Sequence, residues 1–231
     1  MRARQRHFNA RDAGAVLVLD ARYIDQADNT AVSTWSDRSR NSYNATQATG
    51  SLQPTFQTNE LGGQPAVRFD GGDSLVSSLN SSTVLSGNLS YFCLARRRIS
   101  NTSYPLLIGF STGGNYRGRA LFLFVNNPSY GQNAADVVGS VSITNSVAFI
   151  ASATKSGSTA SVFVNGNSVG SGTPTTSAVT ETQFYIGTGG GGGNYFDGDE
   201  FSVAVFNAGI TASVRKRLEQ SAAYSFKIAC S

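Results

Sequence analysis

Three acids, Asp197, Asp199 and Glu200, follow an unbroken run of five glycines (Gly189–Gly193) and an aromatic pair, Tyr195 and Phe196. Residues of these types serve three chemistries. A phosphate cradle needs its glycine loop to feed the N-terminus of a helix. Here the loop feeds FSVAVF (201–206), a strand pattern, and the Lys-Ser/Thr ending is missing, which excludes that use. A retaining glycosidase needs two carboxyl groups about 5–5.5 Å apart. Asp197 and Asp199 alternate and share a strand face, but Gly198 separates them and Glu200 faces the other way. The chain has four glutamates (Glu60, Glu181, Glu200, Glu219), no two close in sequence, and its one histidine is His7 in a basic stretch. No Ser/His/Asp arrangement is visible. The third chemistry is calcium binding, which takes six to eight oxygen ligands from a loop. Asp70 and Asp73 of FDGGDS, with Asp197 and Asp199, are the candidate ligands, although no dense DxDxDG array is present. Asp and Gly also simply build turns. On that simpler reading the glycines form a loop tip, FDGDEFSVAVF re-enters a sheet, and Phe196, Phe201, Val203 and Val205 feed the core.

Aromatic residues set among polar loops suit another task. Sugar rings carry apolar C–H faces that stack on aromatic side chains, while Asn, Asp and Arg bond the hydroxyls. Tyr104, Tyr116, Arg117, Tyr130 and Tyr195 are the glycan-binding candidates, with Trp35 and Tyr43 also in loops. Binding concentrates on loops carried by a rigid scaffold.

The elements that would position these residues are short. Apolar runs recur throughout: AVLVL (15–19), AVRF (66–69), LSYFCLARR (89–97), PLLIGF (105–110), ALFLFV (120–125), VVGSVSI (137–143), VAFIASAT (147–154), ASVFVN (160–165), TQFYIG (182–187) and FSVAVF (201–206). Short strands with Gly, Asn and Ser between them indicate a sandwich or barrel. In SVFVNGNSVG, Asn165-Gly166 predicts a tight type I′ hairpin. One helix is expected near the C-terminus. Thr211 caps it, Val214, Leu218 and Ala222 form its buried stripe, and Arg215, Lys216 and Arg217 turn toward water. SFKIAC (225–230) alternates and predicts a closing strand. Segments 24–65 and 111–118 are the long loops.

Composition agrees with an all-β fold. The 231 residues are 40% hydrophobic and only 14% charged, with Ser, Thr, Asn and Gly filling the gaps. The net charge of +4 comes from 18 basic and 14 acidic residues, and only Lys155, Lys216 and Lys227 are lysines. Arg2, Arg4, Arg6 and Arg11 make residues 1–12 a basic arm suited to docking on an acidic partner; residues 13–231 read as one domain. Elsewhere the arginines form no stripe, so nucleic acid is not an expected partner. No stretch approaches the roughly 18 apolar residues of a membrane span. Ala15–Leu19 is too short for a secretory h-region, so export by the general route is not expected. Cys93 sits in an apolar run as a buried thiol, and Cys230 is too far from it in sequence to suggest a disulfide framework.

Five stretches occur in an order that resembles the concanavalin A-like lectin/glucanase superfamily, in its laminin-G-like jelly-roll branch of bacterial and phage proteins. They are LVLDAR (17–22), WSDRSRNSYNAT (35–46), QPTFQTNELGGQPAVRFDGGDSL (53–75), VFVNGNSVG (162–170) and FDGDEFSVAVFNAGITASVRKRLE (196–219). The resemblance spans the chain from about residue 15 onward. It implies a two-sheet antiparallel β-sandwich with one short C-terminal helix, a core position for Trp35, and calcium at a rim in some relatives. Arg40 and Ser42 stand where the family's loop usually has glycine. The fold hosts lectins, glycosidases and structural modules alike. The expected function is a non-enzymatic virion surface protein of a phage, with a lectin-like sandwich. Its expected partners are other virion subunits or further copies of itself in a homo-oligomer, and a cell-surface polysaccharide. It would be made in the host cytoplasm. A cellular carbohydrate-binding or adhesion module, placed extracellularly, is the alternative, and a glycoside hydrolase a third reading.

Overall fold

A computed structural model of the chain describes residues 9–81, 87–99, 104–111, 119–131, 136–174, 183–188 and 194–231. The strands in chain order are β1 (Leu17–Asp20), β2 (Thr30–Ala31), β3 (Thr34–Trp35), β4 (Ala45–Thr46), β5 (Thr55–Leu61), β6 (Gln64–Asp70), β7 (Leu75–Ser77), β8 (Leu89–Arg97), β9 (Leu106–Ser111), β10 (Ala120–Phe124), β11 (Asn127–Gly131), β12 (Val137–Val138), β13 (Ala148–Ser156), β14 (Thr159–Val164), β15 (Asn167–Gly172), β16 (Gln183–Ile186) and β17 (Asp197–Phe206). The helix α1 (Ala212–Phe226) follows them. All pairings are antiparallel and build two sheets. The first runs β15-β14-β13-β8-β17-β6-β5-β2, with β1 also paired to β17; the second runs β12-β11-β10-β9-β16-β7-β4-β3.

Strand alternation sorts the side chains into layers. Leu17, Leu19, Phe69, Tyr91, Cys93, Phe110, Phe184, Phe196, Val203 and Val205 fill the space between the sheets, with Trp35 beside them. On the outer face of the first sheet, Phe92, Leu94, Ile150, Phe201, Ala204 and Phe206 form a second layer under Leu218, Ala223 and Phe226 of α1. Burying a side chain of that size stabilises by roughly 1.5–3 kcal/mol, which holds the helix on the sheet.

The β14–β15 hairpin turns as its sequence predicts, with Asn165 at φ 48° and Gly166 at φ 89°. Asp37 ties the 35–46 loop together: its carboxylate accepts from the N–H groups of Val18, Ser39 and Tyr43. Ser42, in a glycine position of the family, keeps a left-handed backbone at φ 58°.

Four expectations change. SFKIAC is not a strand: α1 continues through Phe226, whose ring meets Phe201 edge-on at 5.5 Å, and Lys227 at φ 56° caps it. Arg215 faces inward, stacked 3.6 Å over Phe163, with its Nη1 2.5 Å from Glu219 Oε2. Glu219 also accepts from Ser152, so the helix buries an ion pair beside its apolar stripe. Segment 24–65 is not one loop but holds β2 to β5 and the start of β6. Of VVGSVSI only Val137–Val138 pairs as a strand, because Gly139, Ser140 and Ile143 donate to Pro128, Val169 and Asn126 instead. Residues 9–15 wind into a turn whose Ala10 and Ala13 pack on the second layer.

Candidate functional site

β6, β8, β10 and β16 all end at one end of the sandwich, and β17 begins there. Arg97, the last residue of β8, organises this end. It is only 2% exposed. Its guanidinium donates to Asn145 Oδ1, Asn126 Oδ1, Val125 O and Ile143 O. It has no carboxylate partner among the described residues, and burial pulls its pKa down. The loops it pins present Ile99, Val125 and Val147 to solvent, each more than half exposed. Val125 is held at φ 57°, a region that β-branched residues rarely enter.

Next to these loops, the outer face of the second sheet carries an aromatic patch. Leu106, Ala120 and Phe122 form its buried floor, and Tyr104, Phe124 and Tyr185 stand on it half-buried. Tyr104 and Phe124 meet edge-on, with ring centroids 5.2 Å apart. Tyr185 donates its hydroxyl to Gln183 Oε1 at 2.7 Å. Gly109 lies opposite both Ala120 and Tyr185, and a Cβ there would collide with Ala120, so the position admits no side chain. Asn194 accepts from the Leu106 N–H, which brings half-buried Tyr195 to the same border. The helix does not cover this face; α1 packs on the other sheet.

The sequence-derived glycan candidates therefore divide. Tyr104 and Tyr195 lie on this border. Tyr130 does not: it pairs with Leu121 on the inward side of its strand, is fully buried, and its ring lies 6.4 Å from that of Tyr91. It presents no face to a sugar. Tyr116 and Arg117 lie outside the described residues, as do Gly189–Gly193 and Arg2, Arg4 and Arg6 of the arm. Arg11 is described and exposed.

The calcium candidates divide as well. Asp70 and Asp197 are cross-strand neighbours, and Asp73 folds back on them. They do turn and ion-pair work. Asp73 Oδ2 accepts from the Asp70 N–H, Asp70 Oδ1 accepts from the Gly72 N–H, and Asp197 lies 3.6 Å from Arg98. Burial, then the charge of Asp70, pushes the Asp73 carboxyl up to about 7, and burial raises Asp197. Asp199 shares the outward face with Asp197, yet it belongs to a separate network. It is fully buried between Arg68 (2.7 Å) and Arg96 (2.5 Å), and Glu60 bridges the same two arginines. Asp199 is thus neutralised by cations and is no metal ligand. The described residues hold no group of three or more His, Cys, Asp or Glu arranged for a metal ion.

Glu200 faces into the core. The register shift between Glu200 and Ser202 reverses the parity of β17, so Glu200 points between the sheets while Phe201 points to the helix side. Neither of its carboxyl oxygens has a hydrogen-bond partner among the described residues. Burial pushes its pKa well up, and burial and the charge of Glu200 do the same to Cys93. With no access to solvent, Glu200 serves no surface chemistry.

Comparison with known proteins places the fold. No protein-family model matches the sequence, and no curated protein matches it. Solved structures do match in shape. A botulinum neurotoxin type C structure, described by cell entry dependent on two ganglioside molecules, superposes with a TM-score of 0.64 at 12% identity, over 91% of this chain and 52% of that one. The binding domain of botulinum neurotoxin DC in complex with SialylT gives 0.62 at 13% identity, over 91% and 51%. Trypanosoma rangeli sialidase in complex with sialic acid gives 0.64 at 16% identity, over 91% and 33%. The chain thus spans about half of the neurotoxin chains and a third of the sialidase. These likenesses establish the fold alone, a two-sheet β-sandwich shared with neurotoxin binding domains and with part of a sialidase.

Phe124, Tyr185 and Arg97 were not among the sequence candidates. The alternation itself held a signal for two of them. In β16, Tyr185 falls on the opposite face from Phe184 and Ile186; in β10, Phe122 and Phe124 share parity with Ala120. Nothing local in RRR (96–98) marks its middle arginine as the buried one.

Proposed function

We propose that this chain is a non-enzymatic glycan-binding sandwich whose contact surface is the aromatic patch of Tyr104, Phe124 and Tyr185 with Tyr195 at its border. The observation that carries it is the gathering of half-buried aromatic rings on the sheet face that α1 leaves uncovered. Rings held edge-on by neighbours keep their orientation, so stacking on a sugar face loses little side-chain entropy. Asn194, beside Tyr195, supplies hydrogen-bonding groups at the border. Structural neighbours described with sialic acid and with gangliosides support the same reading.

The test is a glycan-array screen of the full chain, followed by titration of the best ligand. Tyr104→Ala and Tyr185→Ala are each expected to weaken binding tenfold or more, about 1.4 kcal/mol. Tyr224→Ala, on the exposed side of α1, should leave it unchanged. Equal binding by all variants refutes the assignment. The raised Asp73 beside Asp70 and Asp197 favours a hydrolase as second reading; release of a reducing sugar from the bound glycan, lost in Asp73→Asn, would establish it. The finer placement, on a phage virion surface as a repeated subunit, rests on the composition and the basic arm. The mass of the native particle, with and without residues 1–12, tests it.

A further inference from the structure

A cleft of about 290 Å³ lies on the opposite side of the molecule from the aromatic patch, between α1, β1 and the turn at residues 9–15. This volume is at the lower edge of the roughly 300–1,000 Å³ range of ligand pockets, and suits a small molecule. Val18, Phe92, Leu218, Ala222 and Phe226 give it an apolar floor. Its polar groups are of two kinds. Asp20 and Arg22 are locked together, with Arg22 Nη2 2.6 Å from Asp20 Oδ2, and cancel in charge. Arg11 and Arg38 are uncommitted. Arg38 lies 4.5 Å over the Tyr23 ring, which orients it, and neither guanidinium has a carboxylate partner among the described residues. Arg11, Arg22 and Arg38 against Asp20 leave the lining two charges positive. Ser202 and Ser221 line the cleft, and neither hydroxyl has a hydrogen-bond partner among the described residues.

We propose that this cleft is a second binding site that takes a small acidic sugar, a pyranose-sized molecule carrying one carboxylate or phosphate. The two free guanidinium groups face the anion, since each offers a planar fork of donors that matches carboxylate and phosphate oxygens. Ser202 and Ser221 bond ring hydroxyls. The Phe226 and Ala222 surface covers the apolar sugar face, and Arg22, held by Asp20 and 5.5 Å from the Phe226 ring, keeps that wall in place. The site is independent of the patch around Tyr104, so either assignment stands if the other fails.

Calorimetric titration of the full chain with glucuronate, glucose 6-phosphate, inorganic phosphate and glucose tests it. Glucuronate or glucose 6-phosphate should bind at least tenfold more tightly than glucose, and binding should weaken as salt is raised. Arg38→Gln should reduce the charged sugar to the level of glucose. Ala222→Leu, which fills the cleft from a half-buried helix position, should abolish binding while circular dichroism and the melting curve confirm a folded protein. Two results overturn the proposal. Inorganic phosphate binding as tightly as glucose 6-phosphate would leave only an anion site, and charged sugars binding unchanged in both variants would put them elsewhere.

Discussion

Replacing Glu200 with glutamine should change how stability depends on pH. Glu200 sits between Val67 and Ala95 on the neighbouring strands and faces the interior of the sandwich near Cys93. It is completely buried and neither oxygen is hydrogen-bonded among the described residues, so the fold holds it as the neutral acid. In the unfolded chain it ionises at an ordinary glutamate pKa, about 4.3. Its folded pKa is raised, so the folded state keeps a proton that the unfolded state has released. Its contribution is fully present below the unfolded pKa and is lost as pH rises toward the folded pKa. One proton corresponds to about 1.4 kcal/mol per pH unit across that window. Between pH 5.5 and 7.5 the wild type should therefore lose stability relative to Glu200→Gln, which carries no titrating proton there, with a slope of at most about 1.4 kcal/mol per pH unit. Asp73, raised to about 7, slopes the same way in both proteins and cancels in the comparison. Urea unfolding at several pH values, with m-values checked for constancy, gives the two curves. Parallel curves would refute the reasoning, because they would mean that Glu200 is ionised or solvated in the folded state. Glu200→Met should in addition raise stability at every pH in this range by about 1–3 kcal/mol, the desolvation cost of an unpartnered polar group.

Other perturbations probe the remaining elements. Asp199→Asn leaves Arg68 and Arg96 sharing Glu60 alone, and should cost about 3 kcal/mol in denaturant unfolding. Val125→Asn relieves a β-branched residue at φ 57° and should stabilise by about 1 kcal/mol, read as a higher melting temperature. Gly166→Ala should destabilise by more than about 1 kcal/mol, because φ is 89° and the added Cβ runs into Ser231. Arg97→Lys cannot serve four acceptors in two loops; amide hydrogen exchange should quicken at 125–127 and 143–147 with little change in β8.

The sandwich was legible because alternation and turn chemistry are local. Asn165-Gly166 predicts a turn that needs two positive φ angles, and both are present. LSYFCLARR spans β8 residue for residue. Other features depended on partners far away in sequence. The alternation of SFKIAC suits a strand, but Phe226 is claimed by Phe201, and the helix runs on to deliver it. Arg215 reads as a surface cation until Phe163 and Glu219 enclose it. The parity of FDGDEF is broken by the register shift after Glu200, a property of the pairing with β8 that β17 does not announce. The candidate site was half legible for the same reason. Tyr104 and Tyr195 stood out as loop aromatics, whereas Tyr130 needed its strand register to be placed in the core, and Tyr185 needed the same information to be brought out of it.

The position of β17 also has a temporal consequence. It lies between β8 and β6, and within the first sheet those two meet only through it. A ribosome that has translated the first 196 residues has made both flanks but not the strand that joins them. Until then β6 and β8 each present an open edge, the geometry that invites pairing with another chain. Closure of this sheet is therefore a late event of synthesis, and nascent chains stalled before Asp197 should depend on chaperones more than the completed protein does.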